Sequence, residues 1–580
     1  MVHGCSRSEA SKVFKLCEEG KIRDALVAAN LHYVHNGKTI PTEYALFLLN
    51  TCAKKKDLES CREIHSLMLN QGLLASDTFW SDHLIRSFAN CGNFVQANEV
   101  FWNVPNPSIY TWNSVISANS KLGNSKYALQ LYFMMQNEGI KPDKYTLLAT
   151  LRACICVGSM KEGRLIHENV VKMGLECDIV LGNTLINMYM KCGSLEDGHQ
   201  LFDNLLKRDV ITWGVTISGY VQNRNGYYAI HLYQKMQKEG SIEPDIFLLA
   251  SVLKACGMIG DARRGMIIHD QIVQIGDQSD VVVVNALIDM YLKCGDILHG
   301  NKVFNDATKK DLVSWNSIIA GHVQHGNAFH AIKIFEKMQV GFLKPNKVTY
   351  SSVFKACGNI GDLELGISMH KEMQRSGIDI DLVVKNSLID MYSKCGGTKE
   401  CLEVFNELPF RDTISWNATL AAFAEHEDGP LALELFEKMR KEGVEPDNVT
   451  FSTILKVCGM IGALQKGRLI HELMIKMALG FDGVVCISLM DMYVKCESFE
   501  DACNLLKQPL FHNVEAWNAL ISGYSCNGNL IAVNHYMKEM QKEGLKPNRR
   551  TFSSILAACS HVGMVEQGCE HFEGMINVHG

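Results

Sequence analysis

The sequence repeats itself at an interval of 101 or 102 residues. Five tryptophans mark one position of this repeat: Trp112, Trp213, Trp315, Trp416 and Trp517. Each interval holds three related segments of 35, 35 and 31 residues, as in 312–346, 347–381 and 382–412. Self-similarity at a period of about 20–50 residues is typical of a solenoid, in which stacked units share one continuous core. The 580 residues therefore predict a single array rather than several globular domains.

Each segment has the pattern of two short helices. In 109–143, apolar residues at helical spacing predict a first helix over about 111–122 and a second over about 125–136, with Gly123 between them. Neither helix can bury its apolar face alone, so the repeats must stack. The predicted fold is an all-α solenoid superhelix of two-helix repeats of 31–36 residues.

The register of the repeats is clear from residue 42 onwards. Sixteen repeats begin at Thr42, Thr78, Ile109, Lys144, Ile179, Val210, Ile246, Val281, Leu312, Lys347, Leu382, Thr413, Asn448, Gly483, Val514 and Arg549. We expect the last repeat, which stops at Gly580, to be incomplete. Residues 1–41 form an N-terminal segment in which residues 15–26 resemble the second half of a repeat.

Composition excludes several classes of protein. The net charge of −6 gives no global attraction to a polyanion, so any nucleic-acid surface must be local. The 21 cysteines mostly recur in register with the repeats, which indicates small buried helix residues in a reducing compartment. Examples are Cys192, Cys294, Cys395 and Cys496. No apolar run reaches the length of a membrane span, and the first residues do not form a clear transit peptide.

No catalytic or metal-binding motif emerges. Five histidines recur about 101 residues apart, too far to converge on one ion, so we interpret them as packing residues. They are His65, His167, His269, His370 and His471. The fragment His571-Phe-Glu573 matches part of a zinc cytidine deaminase motif, but no Cys-x-x-Cys follows it. The sequence therefore predicts no enzymatic activity, no metal and no cofactor.

Three motifs alternate along the chain. Tryptophan repeats carry Trp-Asn-Ser or Trp-Asn-Ala near the start and Lys/Glu-Pro-Asp/Asn at the end. Histidine repeats carry Ala-Cys and then Ile-His or a variant, and short repeats carry Asp-Met-Tyr-x-Lys-Cys, as at Asp289–Cys294. Over residues 42–580 these motifs resemble the pentatricopeptide repeat family, in the plant PLS-type that alternates P, L and S units. The chain ends before the C-terminal deaminase (DYW) domain that some such proteins carry. Tetratricopeptide repeats are similar, but the alternating lengths disfavour them.

The resemblance implies RNA binding at one repeat per base, with the fifth and last residues of a repeat facing the base. A position-5 amide offers both a donor and an acceptor to an unpaired base. The implied uracil readers are Asn113 with Asp143, Asn183 with Asp209, Asn285 with Asp311, Asn386 with Asp412, and Asn417 with Asp447. The implied pyrimidine readers leaning to cytosine are Asn316 with Asn346, and Asn518 with Asn548. The implied partner is a single-stranded, pyrimidine-rich RNA.

Other positions complete or weaken this interpretation. Branched apolar residues at position 2, such as Val383 and Ile414, can sandwich the base planes. Position-13 lysines can contact phosphates, although the helix dipole alone would also favour them there. These lysines are Lys121, Lys191, Lys293, Lys394 and Lys495. Usable amides are absent from three other pairs, namely Asp82 with Ser108, Gly214 with Asp245, and Ile487 with Asn513. The histidine repeats have Leu46, Leu148, Ala250, Ser351 and Ser452 at position 5.

The function implied by the resemblance is site recognition in cytidine-to-uridine RNA editing. The protein would act in a mitochondrion or chloroplast, with a deaminase or editing cofactor supplied in trans. An organellar RNA stability or splicing factor is a second possibility. A tetratricopeptide-like scaffold that binds a peptide is a third, although a peptide groove would not need Asn and Asp paired across repeat boundaries.

Overall fold

The computed structural model describes residues 15–17, 19, 21–29, 42–70, 78–240, 242–276, 279–341, 343–378, 380–426, 428–477, 483–508 and 513–579. The chain divides into two compact bodies, Met1–Thr308 and Lys309–Gly580. Within the described residues the regular elements are all helices and no strand occurs. Each body is an all-α array of stacked helix pairs, so the predicted α-solenoid class is confirmed.

A first helix begins at each predicted repeat start. In the N-terminal body these helices are Thr42–Lys55, Thr78–Asn90, Ile109–Lys121, Lys144–Val157, Ile179–Lys191, Val210–Gln222, Ile246–Ile259 and Val281–Lys293. In the C-terminal body they are Leu312–Gln324, Lys347–Ile360, Leu382–Lys394, Thr413–Glu425, Asn448–Met460, Gly483–Lys495, Val514–Cys526 and Arg549–Val562.

A second helix follows each first helix. In the N-terminal body these are Leu58–Asn70, Phe94–Trp102, Ser125–Asn137, Met160–Lys172, Leu195–Asn204, Gly226–Glu239, Ala262–Ile275 and Ile297–Asp306. In the C-terminal body they are Ala328–Val340, Leu363–Arg375, Thr398–Asn406, Gly429–Lys441, Leu464–Lys476, Phe499–Leu506, Leu530–Lys542 and Val565–His579. One more helix, Ile22–Ala29, packs on the first pair. Most of the predicted N-terminal segment, residues 1–14 and 30–41, lies outside the described residues.

The tryptophans at position 4 join consecutive repeats through the core. Trp112, Trp213 and Trp416 are wholly buried. Each meets, edge to face, a phenylalanine on the second helix of the preceding repeat. The ring centroids are 4.7 Å apart for Phe101–Trp112, 4.8 Å for Phe202–Trp213 and 4.7 Å for Phe405–Trp416. This geometry is favoured by the ring quadrupoles, so the predicted core role of these tryptophans is confirmed.

The recurrent histidines are packing residues too. Each of four histidine rings bonds through Nδ1 to a tyrosine hydroxyl on the first helix of the next repeat. The pairs are His167–Tyr189 (2.9 Å), His269–Tyr291 (2.9 Å), His370–Tyr392 (2.9 Å) and His471–Tyr493 (3.0 Å). Burial lowers the pKa of all four histidines. In the described part of the chain no cluster of three or more His, Cys, Asp or Glu could hold a metal ion.

The cysteine prediction needs a correction. Cys192, Cys294 and Cys395 are half-buried C-cap residues of first helices, and Cys496, also half-buried, directly follows the first helix Gly483–Lys495; none of the four is a buried helix residue. A thiol at the cap can reach a carbonyl of the preceding first helix, as Cys395 Sγ does to Cys357 O at 3.5 Å. The cysteines in the described ranges are free thiols. Among the described helices none is long and apolar enough to cross a bilayer.

Candidate nucleic-acid interface

Two cavities show which positions of neighbouring repeats lie together. In the C-terminal body, a cavity of about 570 Å³ is lined by position 2 (Val348, Val383, Ile414), position 5 (Ser351, Asn386) and position 9 (Lys355, Asp390). In the N-terminal body, one of about 670 Å³ is lined by the equivalent Tyr110, Tyr145, Asn113, Leu148, Arg86 and Arg152. Positions 2, 5 and 9 of the first helices therefore form one surface, called the first-helix face below.

Position 2 is apolar yet exposed on this face. In thirteen repeats the side chain at position 2 is between 39% and 71% exposed. These residues are Phe79, Tyr110, Tyr145, Val180, Ile211, Phe247, Val282, Val313, Val348, Val383, Ile414, Val449 and Val484. Of the position-4 tryptophans, two residues further on, Trp112, Trp213, Trp416 and Trp517 are buried and Trp315 is half-buried. A regular row of solvated apolar groups beside amides suits the faces of planar, partly polar ligands.

The amide of a tryptophan repeat belongs to a closed hydrogen-bond network across the repeat boundary. Asn417 Nδ2 donates to Asp447 Oδ1 at 2.9 Å, and Thr450 Oγ1 donates to Asn417 Oδ1 at 2.6 Å. Asp447 is also the N-cap of the next first helix and forms a capping box with Thr450. The same triangle joins Asn113, Asp143 and Thr146; Asn316, Asn346 and Thr349; and Asn518, Asn548 and Thr551.

This network keeps Asp447 charged. Burial alone would raise the pKa of Asp447, but hydrogen bonds from the Thr450 N–H, the Asn417 amide and the Thr450 hydroxyl hold it below its ordinary value. A carboxylate only accepts hydrogen bonds, so it fixes which end of the Asn417 amide carries the NH₂ group. One N–H and one lone pair of that amide remain for a ligand.

The short repeats present their amides differently. Asn183 Nδ2 lies 3.4 Å from Asp209 Oδ1, and Asn386 Nδ2 lies 3.4 Å from Asp412 Oδ1. The hydroxyls of Thr212 and Ser415 bond to these aspartates instead of reaching the amides. Oδ1 of Asn183 and of Asn386 is therefore buried with no hydrogen-bond partner. Leaving such an acceptor unpaired costs about 1–3 kcal/mol.

Two predicted pairs have different surroundings. Asn285 belongs to the N-terminal body, whereas Asp311 belongs to the C-terminal body and is the N-cap of Leu312–Gln324. Asn518 is wholly buried, and its Nδ2 lies 3.3 Å from a carboxylate oxygen of Glu515. Glu515 occupies position 2, where most other repeats have an apolar residue. The amide of Asn518 is thus closed off from solvent.

The predicted lysine row also divides into two kinds. Lys293, Lys394 and Lys495 each pair with the aspartate four residues before, at 2.7, 2.7 and 2.8 Å. The Lys394 stem lies against Gly358, where a Cβ would come within 3.3 Å of its Cδ. Lys191 and Lys121 have Asn187 and Ser117 at the equivalent place and make no ion pair in the described part of the chain.

A second row of cations escaped the sequence interpretation. Position 9 of four histidine repeats carries Arg152, Lys254, Lys355 and Lys456, all exposed. Their spacing of 102, 101 and 101 residues is the signal that could have revealed them. None makes an ion pair among the described residues. Arg152 and Lys355 line the two cavities of the first-helix face.

Family models match along much of the chain. The PPR repeat family model matches residues 107–156, 310–359, 411–460 and 512–561. The PPR repeat model matches residues 183–210, 211–241, 282–312, 348–378 and 383–412.

Two relatives from Arabidopsis thaliana are similar over nearly the whole chain. A chloroplastic pentatricopeptide repeat-containing protein is 31% identical over 566 residues, covering 97% of this chain and 65% of the relative. A mitochondrial one is 31% identical over 549 residues, covering 94% of this chain and 78% of the relative. The chain thus spans about two thirds to four fifths of the length of these relatives.

The fold is similar to that of the pentatricopeptide repeat protein PPR10 from maize. Its crystal structure aligns with a TM-score of 0.56 at 18% identity, over 98% of this chain and 88% of PPR10. The structure of PPR10 in complex with an 18-nucleotide psaJ RNA element aligns with a TM-score of 0.60 at 18% identity, over 98% of this chain and 84% of PPR10. The family models and the relatives over 30% identical agree with this fold, and the chain is a member of the pentatricopeptide repeat family.

Proposed function

We propose that this protein binds single-stranded RNA sequence-selectively, with one base on each tryptophan repeat and each short repeat. The observation that carries the proposal is the hydrogen bond from a position-5 amide to the last residue of the same repeat, as between Asn417 and Asp447. It recurs beside exposed apolar residues at position 2. Amide edges next to apolar surfaces suit unpaired bases, whose edges are polar and whose faces stack.

Pyrimidines fit the hydrogen-bonding groups that remain. Uracil offers one ring N–H between two carbonyl oxygens. The remaining lone pair of Asn417 Oδ1 would accept that N–H, and the second N–H of the same amide would donate to a carbonyl. Where Asn346 or Asn548 replaces the aspartate, the last residue is uncharged and can itself donate, which supports the lean to cytosine. The proposed partner is therefore a pyrimidine-rich single strand.

The organelle and the process belong to the same proposal. The names of the relatives assign them to chloroplast or mitochondrion, which supports an organellar RNA target. The alternation of three repeat types supports PLS-type membership and site recognition in cytidine-to-uridine editing. Chemistry would come from a deaminase in trans. A packing role for His571 supports this assignment, because its Nε2 lies 3.0 Å from Asn534 Oδ1 on the neighbouring second helix.

Equilibrium binding separates these functions. The purified chain should bind a pyrimidine-rich single strand far more tightly than a hairpin stem, because paired bases hide the edges that position 5 must reach. A same-length peptide library should not compete. Equal binding to the stem would contradict base recognition, and selective capture of a peptide would favour the scaffold. Selection from a random RNA pool would then define the bound sequence.

Deamination is tested separately. Zinc-replete protein alone should leave cytidine unchanged in the selected RNA, and conversion should require an added deaminase. Conversion by the purified chain alone would overturn the assignment of chemistry to a partner.

A further inference from the structure

The four cations at position 9 of the histidine repeats differ from their neighbours on the first-helix face. Arg152, Lys254, Lys355 and Lys456 are exposed and make no ion pair with any residue that the structure describes. The tryptophan repeats have only Ser or Ala at this position, at Ser117, Ser218, Ala320, Ala421 and Ser522. Three of the short repeats have an aspartate there, which pairs with the position-13 lysine. On this row, positive charge without an ion pair among the described residues therefore lies at these four residues and at Arg86 of the short repeat 78–108, which has no amide at position 5 and donates to Ser114 Oγ at 3.2 Å.

The same repeats lack an amide for reading a base. Their position-5 residues are Leu148, Ala250, Ser351 and Ser452. Leu148 cannot hydrogen-bond to a base edge, and Ala250 has no polar group at all. The repeats with Leu148 and Ala250 offer a base no donor or acceptor at position 5, and those with Ser351 and Ser452 offer a single hydroxyl. All four offer a cation one helical turn further along the same helix.

The cavities place these cations next to the proposed base sites. Lys355 lines the same cavity as Asn386, the amide of the following short repeat. Arg152 lines the same cavity as Asn113, the amide of the preceding tryptophan repeat, with Tyr110 and Tyr145 beside it. A strand whose base reached Asn113 or Asn386 would carry its phosphates past these side chains.

We propose that the histidine repeats hold the phosphodiester backbone through Arg152, Lys254, Lys355 and Lys456, while the other two repeat types read bases. The inference rests on the proposed RNA binding. It assigns the electrostatic part of the affinity to the histidine repeats rather than to the paired lysines of the short repeats. Phosphate contacts position a strand without reading its sequence, so the loss of these cations should weaken all sequences alike.

The test is a pair of matched fourfold variants. The first replaces Arg152, Lys254, Lys355 and Lys456 by Gln. The control replaces Lys161, Arg263, Lys371 and Lys476 by Gln. The control residues lie on the second helices of the same four repeats, are exposed and make no ion pair among the described residues. Both variants lose the same charge, and their circular dichroism should match the wild type.

Binding of a selected pyrimidine-rich single strand is then measured over a range of salt. Four lost phosphate contacts should lower the slope of log K against log salt by about 2.8, at about 0.7 for each contact. Between about 50 and 200 mM salt, wild-type affinity should then fall about 50-fold more than that of the position-9 variant. The control should keep most of the wild-type slope.

The outcomes are distinguishable. Wild-type protein that fails to bind RNA would refute the proposed function and this inference together. Wild-type binding with equal slopes for the two variants would refute the phosphate role alone. A position-9 variant that lost affinity for one base position only, with its slope unchanged, would also refute it, since that pattern indicates base reading.

Discussion

A hydrogen bond of 2.9 Å joins the side-chain amide of Asn417 to the carboxylate of Asp447. Asp447 is also the N-cap of the helix Asn448–Met460. One carboxylate therefore starts a helix and orients the amide proposed to read a base. The two roles can be separated by substitution, because Asn417 lies on the preceding first helix and caps nothing.

Asn417→Ala should remove base discrimination at one position of the RNA. The expected loss is about 1–3 kcal/mol for the cognate uracil, the scale of a good base-edge contact in DNA complexes. The measurement is a panel of RNAs that each differ at one position. Equal loss for every RNA in the panel would show that the amide is structural. Asn417→Ala should leave stability almost unchanged, since Thr450 still bonds to Asp447.

Asp447→Ala should destabilise the fold by about 1 kcal/mol, the usual cost of losing an N-cap. Urea denaturation followed by circular dichroism measures this change. Asp447→Asn is the matched control and should retain most of the stability, because Asn346 and Asn548 form capping boxes at the equivalent positions. If Ala and Asn had equal effects, capping would not be what this residue contributes.

The periodic part of the molecule could be predicted from sequence. The helices of repeat 109–143, expected over 111–122 and 125–136, are Ile109–Lys121 and Ser125–Asn137. Because the same pattern occurs in many repeats, the helix boundaries of a degenerate repeat can be inferred from those of its neighbours. The capping role of the last residue was not predicted, although Asp143, directly before a first helix, is a residue type favoured at the N-cap.

Features that depend on contacts between repeats were harder to predict. The pairing of Lys293 with Asp289 could have been found from their spacing of four residues. The buried Asn518 amide contacts Glu515, which stands at position 2 in place of an apolar residue. The sequence interpretation considered position 5 of this repeat and did not consider position 2. No sequence pattern gives the 3.4 Å separation of Asn183 and Asp209, which leaves an amide oxygen unpartnered.

Glu515→Val should strengthen RNA binding. The substitution removes the carboxylate that contacts Asn518 and would repel the RNA backbone, and it gives this repeat the apolar position 2 of its neighbours. We expect a gain of about 1 kcal/mol, the low end for a stacked base. Glu515→Gln serves as a control that removes charge alone. Unchanged affinity for both variants would mean that this repeat does not contact the RNA.

Lys191→Ala should lower the salt dependence of binding more than Lys394→Ala. Lys191 makes no ion pair among the described residues, so its removal should reduce the slope by about 0.7 for one phosphate contact. Lys394 is paired with Asp390 at 2.7 Å and must leave that partner to contact a phosphate. Asp390→Asn should accordingly steepen the slope. Equal slopes for the two lysine variants would show that the ion pair does not matter.

Acid should destabilise the protein through the half-buried histidines that bond to tyrosines. Burial lowers the pKa of His370, despite the nearby Glu407, below the value of about 6.5 expected in the unfolded chain. Well above pH 6.5, His370 is neutral in both the folded and the unfolded chain, so it adds no pH dependence to the free energy of unfolding. As pH falls below about 6.5, the unfolded state binds protons first, so the free energy of unfolding decreases.

His370→Gln should therefore make stability less sensitive to acid. Urea midpoints of the variant and of the wild type are measured from about pH 7 down to pH 5. The difference between them should shrink or change sign as the pH falls, because only the wild type gains protons at this residue on unfolding. His561→Gln, which removes an exposed ring, is the control and should follow wild type throughout. A constant difference between His370→Gln and wild type across this range would show that His370 contributes only through its hydrogen bonds, at 2.9 Å to Tyr392 and 3.2 Å to Gln374.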